Sequence, residues 1–258
     1  VLALACAQMV QAAAPLRVGA VGYVKEDTGG SIAPVIKYLE DGLKRKIDLT
    51  MFATYDEVLA KIEKKELELA ILPPMANLAA HDRLGARPLG YGVYDSGRFS
   101  YSGLILVKKD SPVKTLADLK GKKIGYVDKF SASGYVYPRA MLHQAKFGDG
   151  EVEEVFHGNH PDALDALDAG KVAAAATYDL MFKEAKSANK SLSDYRVIAE
   201  SEPIPSEALV RTAALDDKTA KQVEELLLSF YHARKGKAEL AGGQYSGFIP
   251  ADPAILVD

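Results

Sequence analysis

Apolar residues recur along this chain with two alternating periods. Leu16 to Val24 is a strand-like run, and Ile32, Val35, Ile36, Leu39 and Leu43 then share one helical face, with Ser31 as N-cap and Pro34 in the tolerated first turn. Ile47 to Thr54 alternates as a strand, and Tyr55 to Lys65 is helical with Val58, Leu59 and Ile62 inward. Leu67 to Leu72 is a short apolar strand ending at Pro73-Pro74, and a helix follows to about Leu84. Strand–helix alternation of this kind predicts a mainly parallel sheet covered on both faces.

A second series begins after the strand Tyr101 to Lys108, which Asp110-Ser111-Pro112 ends. It comprises strand Lys123 to Val127, a helix from Ser133, strand Val152 to His157, a helix from Pro161, strand Val172 to Thr177 and a helix over Asp179 to Ala188. Tyr195 to Ala199 and Ala208 to Thr212 are strand-like, Asp216 or Asp217 caps a long helix through Tyr231, and the tail from Gly236 shows no strong period. The C-terminal helix has no third sheet to join, so it is expected to fold back onto the first unit. The expected organisation is residues 15–102 and 208–258 in one lobe and 103–207 in the other, with a ligand cleft between them.

The most informative stretch runs from Asp128 to Arg139. There a strand meets a helix start through Ser131-Ala132-Ser133-Gly134. The first amides of a helix lack intrahelical partners and carry partial positive charge, so two hydroxyls and a glycine at that point form an anion trap. A lone serine there reads as an N-cap; two serines with a glycine point to ligand.

Composition narrows the class. With 48% hydrophobic residues over 258 positions, the chain is long enough for two modest domains. A formal net charge of −3 and the lack of a basic stripe argue against nucleic acid. The short clusters Lys44-Arg45-Lys46 and Lys120-Gly121-Lys122-Lys123 read as helix-end and turn decoration. Residues 1–14 are compositionally foreign to the rest. They read as the remnant of a secretory signal, with Cys6 a weak candidate for lipidation. Cys6 is the one cysteine, so disulfides are not expected to contribute.

Several segments resemble one family. Tyr101-Ser102-Gly103-Leu104-Ile105-Leu106-Val107-Lys108-Lys109-Asp110-Ser111-Pro112, the lead-in Leu116-Ala117-Asp118-Leu119-Lys120-Gly121, and Ser131-Ala132-Ser133-Gly134-Tyr135 with Pro138-Arg139 resemble motifs of phosphonate/phosphite/phosphate-type ABC-transporter substrate-binding proteins. Looser similarity covers Leu16 to Leu228, including Tyr55-Asp56-Glu57-Val58, Leu67 to Pro74, His160, Gly170 to Ala173 and Ile204-Pro205. The resemblance implies an α/β, two-lobed periplasmic-binding-protein fold of type II, each lobe a mainly parallel sheet flanked by helices. It also implies a small oxyanion ligand, an inner-membrane permease as partner, a periplasmic location and no cofactor.

Matched residue by residue, the resemblance places Tyr55, Tyr101, Ser131, Ser133 and His160 on the ligand, with the amides of Ala132 and Gly134. Ala132 stands where the family usually has a hydroxyl residue, and Asn77 where many members carry tyrosine. Tyr178 and Asp179 end a strand facing the cleft and are candidates for selecting an organic substituent, with Thr177 beside them. Arg139, six residues beyond Ser133, is expected in a salt bridge. His157, His160 and Asp162 lack a further ligand group for a metal. A monomer is expected. The competing readings are a ligand-sensing domain of the same fold and a hydrolase built on Ser133, His160 and Asp162, although no nucleophile elbow is present.

Overall fold

The computed structural model describes residues 13–21, 32–184 and 190–252, the last two residues of 32–184 by backbone alone. Most of the leader with Cys6, the loop Tyr23 to Ser31 with its expected Ser31 cap, and the end of the helix expected over Asp179 to Ala188 lie outside the described residues.

The first sheet has the order β11-β4-β10-β3-β1-β2. Its strands are β1 (Leu16–Val21), β2 (Ile47–Phe52), β3 (Leu69–Leu72), β4 (Arg87–Tyr94), β10 (Ala208–Arg211) and β11 (Tyr245–Ile249). β1 pairs in parallel with β2 and β3, while β10 runs antiparallel between β3 and β4. Successive β3 residues serve opposite cores, as the two-residue period of a strand requires. Leu69 and Ile71 join Val35, Leu39, Val223, Leu227 and Phe230 of helices α1 (Ala33–Leu43) and α7 (Asp217–Ala233). Ala70 and Leu72 join Val58, Ile62, Ala76 and Ala80 of α2 (Tyr55–Glu63) and α3 (Pro74–Leu84). The last long helix thus packs on the first sheet.

The second sheet, order β7-β6-β8-β5-β9, is built from one continuous stretch. It contains β5 (Ser100–Lys108), β6 (Lys123–Tyr126), β7 (Glu153–Phe156), β8 (Ala174–Tyr178) and β9 (Tyr195–Pro205). Leu142 of α4 (Tyr137–Gln144) packs with Ile105 and Val107 on one face, and Leu164 of α5 (His160–Asp168) packs with Leu104 and Leu106 on the other. A short helix, α6 (Met181–Glu184), follows β8.

Sequence patterning missed two strands. β4 contains Pro88, Gly90 and Gly92, which depress strand propensity. Gly92 is required by packing, because a Cβ there would lie 2.3 Å from the Tyr245 ring. β11 lies in the tail without a clear period, and its partner is that same glycine-rich β4. The chain changes sheet at Phe99/Ser100 and again after Pro205, a few residues before the expected 102/103 and 207/208, because the β5–β9 ladder extends down to Ser100 opposite Pro205.

The two crossings lie side by side. The Ser206 amide donates to the Phe99 carbonyl at 2.9 Å, and the Ser206 hydroxyl donates to the Gly92 carbonyl. Within the first crossing, Asp95 pairs with Arg234, the C-cap of α7, at 2.9 Å, while Arg98 pairs with Asp179 beyond β8 at 2.7 Å. Gly97 sits between these anchors at φ +79°, in the left-handed region that glycine adopts without strain.

Candidate functional site

The turn from β6 to α4 builds one wall of a cavity between the lobes. Asp128 folds it: its Oδ1 accepts the Phe130 amide at 2.8 Å and its carbonyl accepts the Ser131 amide at 2.9 Å. Ser131 is the N-cap, its hydroxyl accepting the Gly134 amide at 3.0 Å. The helix opens with a π-type turn over Ala132–Val136 before α4 proper. Gly134 has its own reason to be glycine: a Cβ would fall 2.5 Å from Val127 Cγ2 and 2.6 Å from Ser131 Oγ. It holds the turn closed on itself and does not line the cavity.

The cavity encloses about 400 Å³ of free space, part of it open to solvent. The second lobe supplies Tyr101, Ser131, Ala132, Ser133, His160 and Tyr178; the first supplies Tyr55, Pro73, Tyr94, Glu207 and Gln244. Among the described residues that line it there is no lysine or arginine. A smaller neighbouring cavity shares Tyr55 and His160 and adds Val21, Thr54, Asp128 and Asn159.

His160 is 4% exposed, and burial lowers its pKa to about 3, so the imidazole is neutral at ordinary pH. Its Nδ1 lies 3.2 Å from the Thr177 hydroxyl, and its ring meets Tyr178 edge-on at 4.7 Å. Tyr55 and Tyr101 are buried, and burial raises both phenols, reinforced by the negative charges of Asp128 and Glu207 at Tyr55 and of Glu207 at Tyr101. Both therefore remain protonated and able to donate.

Glu207 was not legible as a site residue. It is 6% exposed, and one carboxylate oxygen accepts the hydroxyls of Tyr94 at 2.9 Å and Tyr245 at 3.1 Å. The available signal was a lone acidic residue leading into the apolar Ala208-Leu209-Val210. Tyr94, Gln244 and Pro73 were missed because the fold of the first lobe brings them together from distant parts of the chain.

Besides Gly134, whose amide is committed to the Ser131 hydroxyl, two expected contacts are elsewhere. Asn77 is buried in α3 beside Tyr91 and does not line the cavity, since its helix position directs it into the first lobe's core. Asp179 accepts the Ser102 amide at 3.0 Å and the Arg98 guanidinium, so its carboxylate is committed to the crossing. Arg139 pairs with Glu154 at 2.9 Å and with Asp149. The hydrolase constellation is not assembled: His160 Nδ1 engages Thr177, and the Asp162 carboxylate accepts Asn159 Nδ2 at 2.8 Å. Among the described residues no three His, Cys, Asp or Glu side chains are grouped to hold a metal.

Two α/β lobes joined by paired crossings around a donor-lined cavity define a two-lobed solute-binding protein. The chain belongs to the family of periplasmic substrate-binding proteins of ABC phosphonate transporters, whose model matches residues 25–256. A phosphate-import protein, PhnD, from Mycolicibacterium smegmatis is 29% identical over 168 residues, which is 60% of this chain and about half (52%) of that protein. The fold matches a binding-protein component of an ABC phosphonate transporter from Pseudomonas aeruginosa, with TM-score 0.79 and 19% identity over 95% of this chain and 83% of that one. It also matches PhnD1 from Prochlorococcus marinus in complex with methylphosphonate, with TM-score 0.77 and 17% identity over 93% and 94% of the two chains.

Proposed function

We propose that the protein is the exported, monomeric solute receptor of an ABC importer, closing on a small phosphonate-like oxyanion and presenting it to an inner-membrane permease. The observation that carries this reading is the Ser131–Gly134 turn, which faces the interlobe cavity at a helix start. Binding through neutral donors suits a receptor that must release its cargo. Hydroxyls and amides hold an anion by hydrogen bonds without the deep Coulomb well of a buried guanidinium.

His160 contributes a neutral imidazole: the Thr177 hydroxyl donates to Met181 Sδ at 3.3 Å, so Nδ1–H donates to the Thr177 oxygen and Nε2 is left as an acceptor for a protonated ligand oxygen. Glu207 sets the ligand class on the opposite wall. A buried carboxylate without a cation repels a second full negative charge and favours a ligand that carries a protonated oxygen or an ammonium substituent there. Aminoethylphosphonate and protonated phosphite or methylphosphonate meet that requirement; sulfate does not.

A thermal-shift panel of phosphite, phosphate, methylphosphonate, aminoethylphosphonate and sulfate tests the reading. A ligand at a hundred times its Kd stabilises the fold by about 2.7 kcal/mol, so a true ligand stands out. The double variant Ser133→Ala, Tyr101→Phe is expected to abolish the shift. An undiminished response in that variant would refute the site, and sulfate as the best ligand would refute the role of Glu207.

A further inference from the structure

The anion turn has a second, apolar side. Phe130 sits between the exposed Lys129 and the N-cap Ser131, in the second lobe. Its ring nevertheless packs against a cluster made wholly of first-lobe residues, among them Val21, Tyr55, Val58 and Tyr91. Ala132, two residues on, is 2% exposed and belongs to a core cluster that holds residues of both lobes. The turn thus has two sides: residues 131 to 133 line the cavity, and Phe130 offers its ring to the facing lobe.

We propose that Phe130 is a closure latch, an aromatic carried on the anion-binding turn that seats on the first lobe when the lobes meet. Building on the two-lobed receptor reading, this assigns Phe130 a positioning role separate from ligand contact. The Asp128 side chain fixes the Phe130 amide and the Asp128 carbonyl fixes the next one, so the ring is carried on a backbone already ordered by the turn. In an opened molecule the ring loses its first-lobe partners and faces water, so its burial favours the closed arrangement. A ligand that seats on the amides of this turn and a ring that seats on the opposite lobe then move as one body. Lobe closure is thereby coupled to occupancy of the turn.

The test uses the full chain in a Cys6→Ser background, with spin labels on cysteines placed at exposed Gln222 of the first lobe and Lys171 of the second. Interlobe distance distributions are recorded for Phe130, Phe130→Ala and Phe130→Leu, each alone and with each oxyanion of the thermal-shift panel. The closed-to-open ratio is expected to fall about tenfold in Phe130→Ala and to recover most of the way in Phe130→Leu. Unchanged far-UV circular dichroism and a cooperative thermal transition in the absence of ligand show that Phe130→Ala is folded. Equal closed fractions in Phe130 and Phe130→Ala overturn the latch. If no oxyanion in the panel moves the parent distribution while Phe130→Ala still opens it, the ligand reading fails and the latch stands.

Discussion

The two walls of the cavity are made in opposite ways. The second lobe builds the centre of its wall from neighbours in sequence, Ser131, Ala132 and Ser133 on one turn, and completes it with Tyr101, His160 and Tyr178 at strand and helix ends. The first lobe gathers Tyr55, Pro73, Tyr94, Glu207 and Gln244, spread over nearly the whole chain. One wall presents helix amides and hydroxyls; the other holds a carboxylate anchored by two tyrosine hydroxyls. A site with donors on one side and negative charge on the other is polarised, and that polarity selects a ligand by both of its ends.

The largest expected effect comes from breaking the local wall. Gly134→Val must displace Val127 or Ser131, an overpacking that costs about 1–3 kcal/mol. Urea denaturation should report that loss together with loss of oxyanion binding. A fully stable variant would show that the turn yields more easily than its contacts imply.

The distributed wall is probed next. Glu207→Gln keeps an acceptor for Tyr94 and Tyr245 but removes the charge. Calorimetry should show affinity for aminoethylphosphonate falling at least about tenfold, because hydrogen bonds to charged groups contribute about 1.5–3 kcal/mol. Sulfate should gain affinity in the same variant. A uniform change in both would remove charge selection from the account.

His160 gives a pH signature. Its folded pKa of about 3 lies below the unfolded value near 6.5, so in that interval the unfolded chain binds a proton that the folded chain refuses. Stability is therefore unaffected by this group above about pH 6.5 and falls as the pH drops toward 3, by up to about 1.4 kcal/mol per unit. His160→Asn should flatten that part of the curve, and an identical slope in both proteins would contradict the burial argument. The smallest change is expected from Arg98→Ala. Its pair with Asp179 is half open to water, so a loss of no more than about 1 kcal/mol that shrinks with salt is expected in denaturant melts.

The contrast between the walls also explains what sequence reading could reach. The strand–turn–helix at Ser131 is local, and its chemistry follows from which amides a helix start leaves free. The β1 to β3 series was visible because β1 and β3 are near-continuous apolar runs and β2 alternates plainly. β4 was hidden because Gly90 and Gly92 exist to admit β11 residues, and nothing near them in sequence announces that partner. Glu207 was hidden for a related reason. Its meaning depends on Tyr94 and Tyr245, which lie 113 and 38 residues away. Asn77 and Asp179 misled because an element's end can be located from pattern while its side-chain direction cannot.

The hydrogen bond from Ser206 to the Phe99 carbonyl has an architectural consequence. It brings the two ends of the contiguous segment 100–205 within a single bond of each other. In design terms the second lobe is a cassette: a two- or three-residue splice from Phe99 to Ser206 would bridge the gap that its removal leaves. Grafting a different cassette at that junction would keep the carboxylate wall and exchange the anion turn.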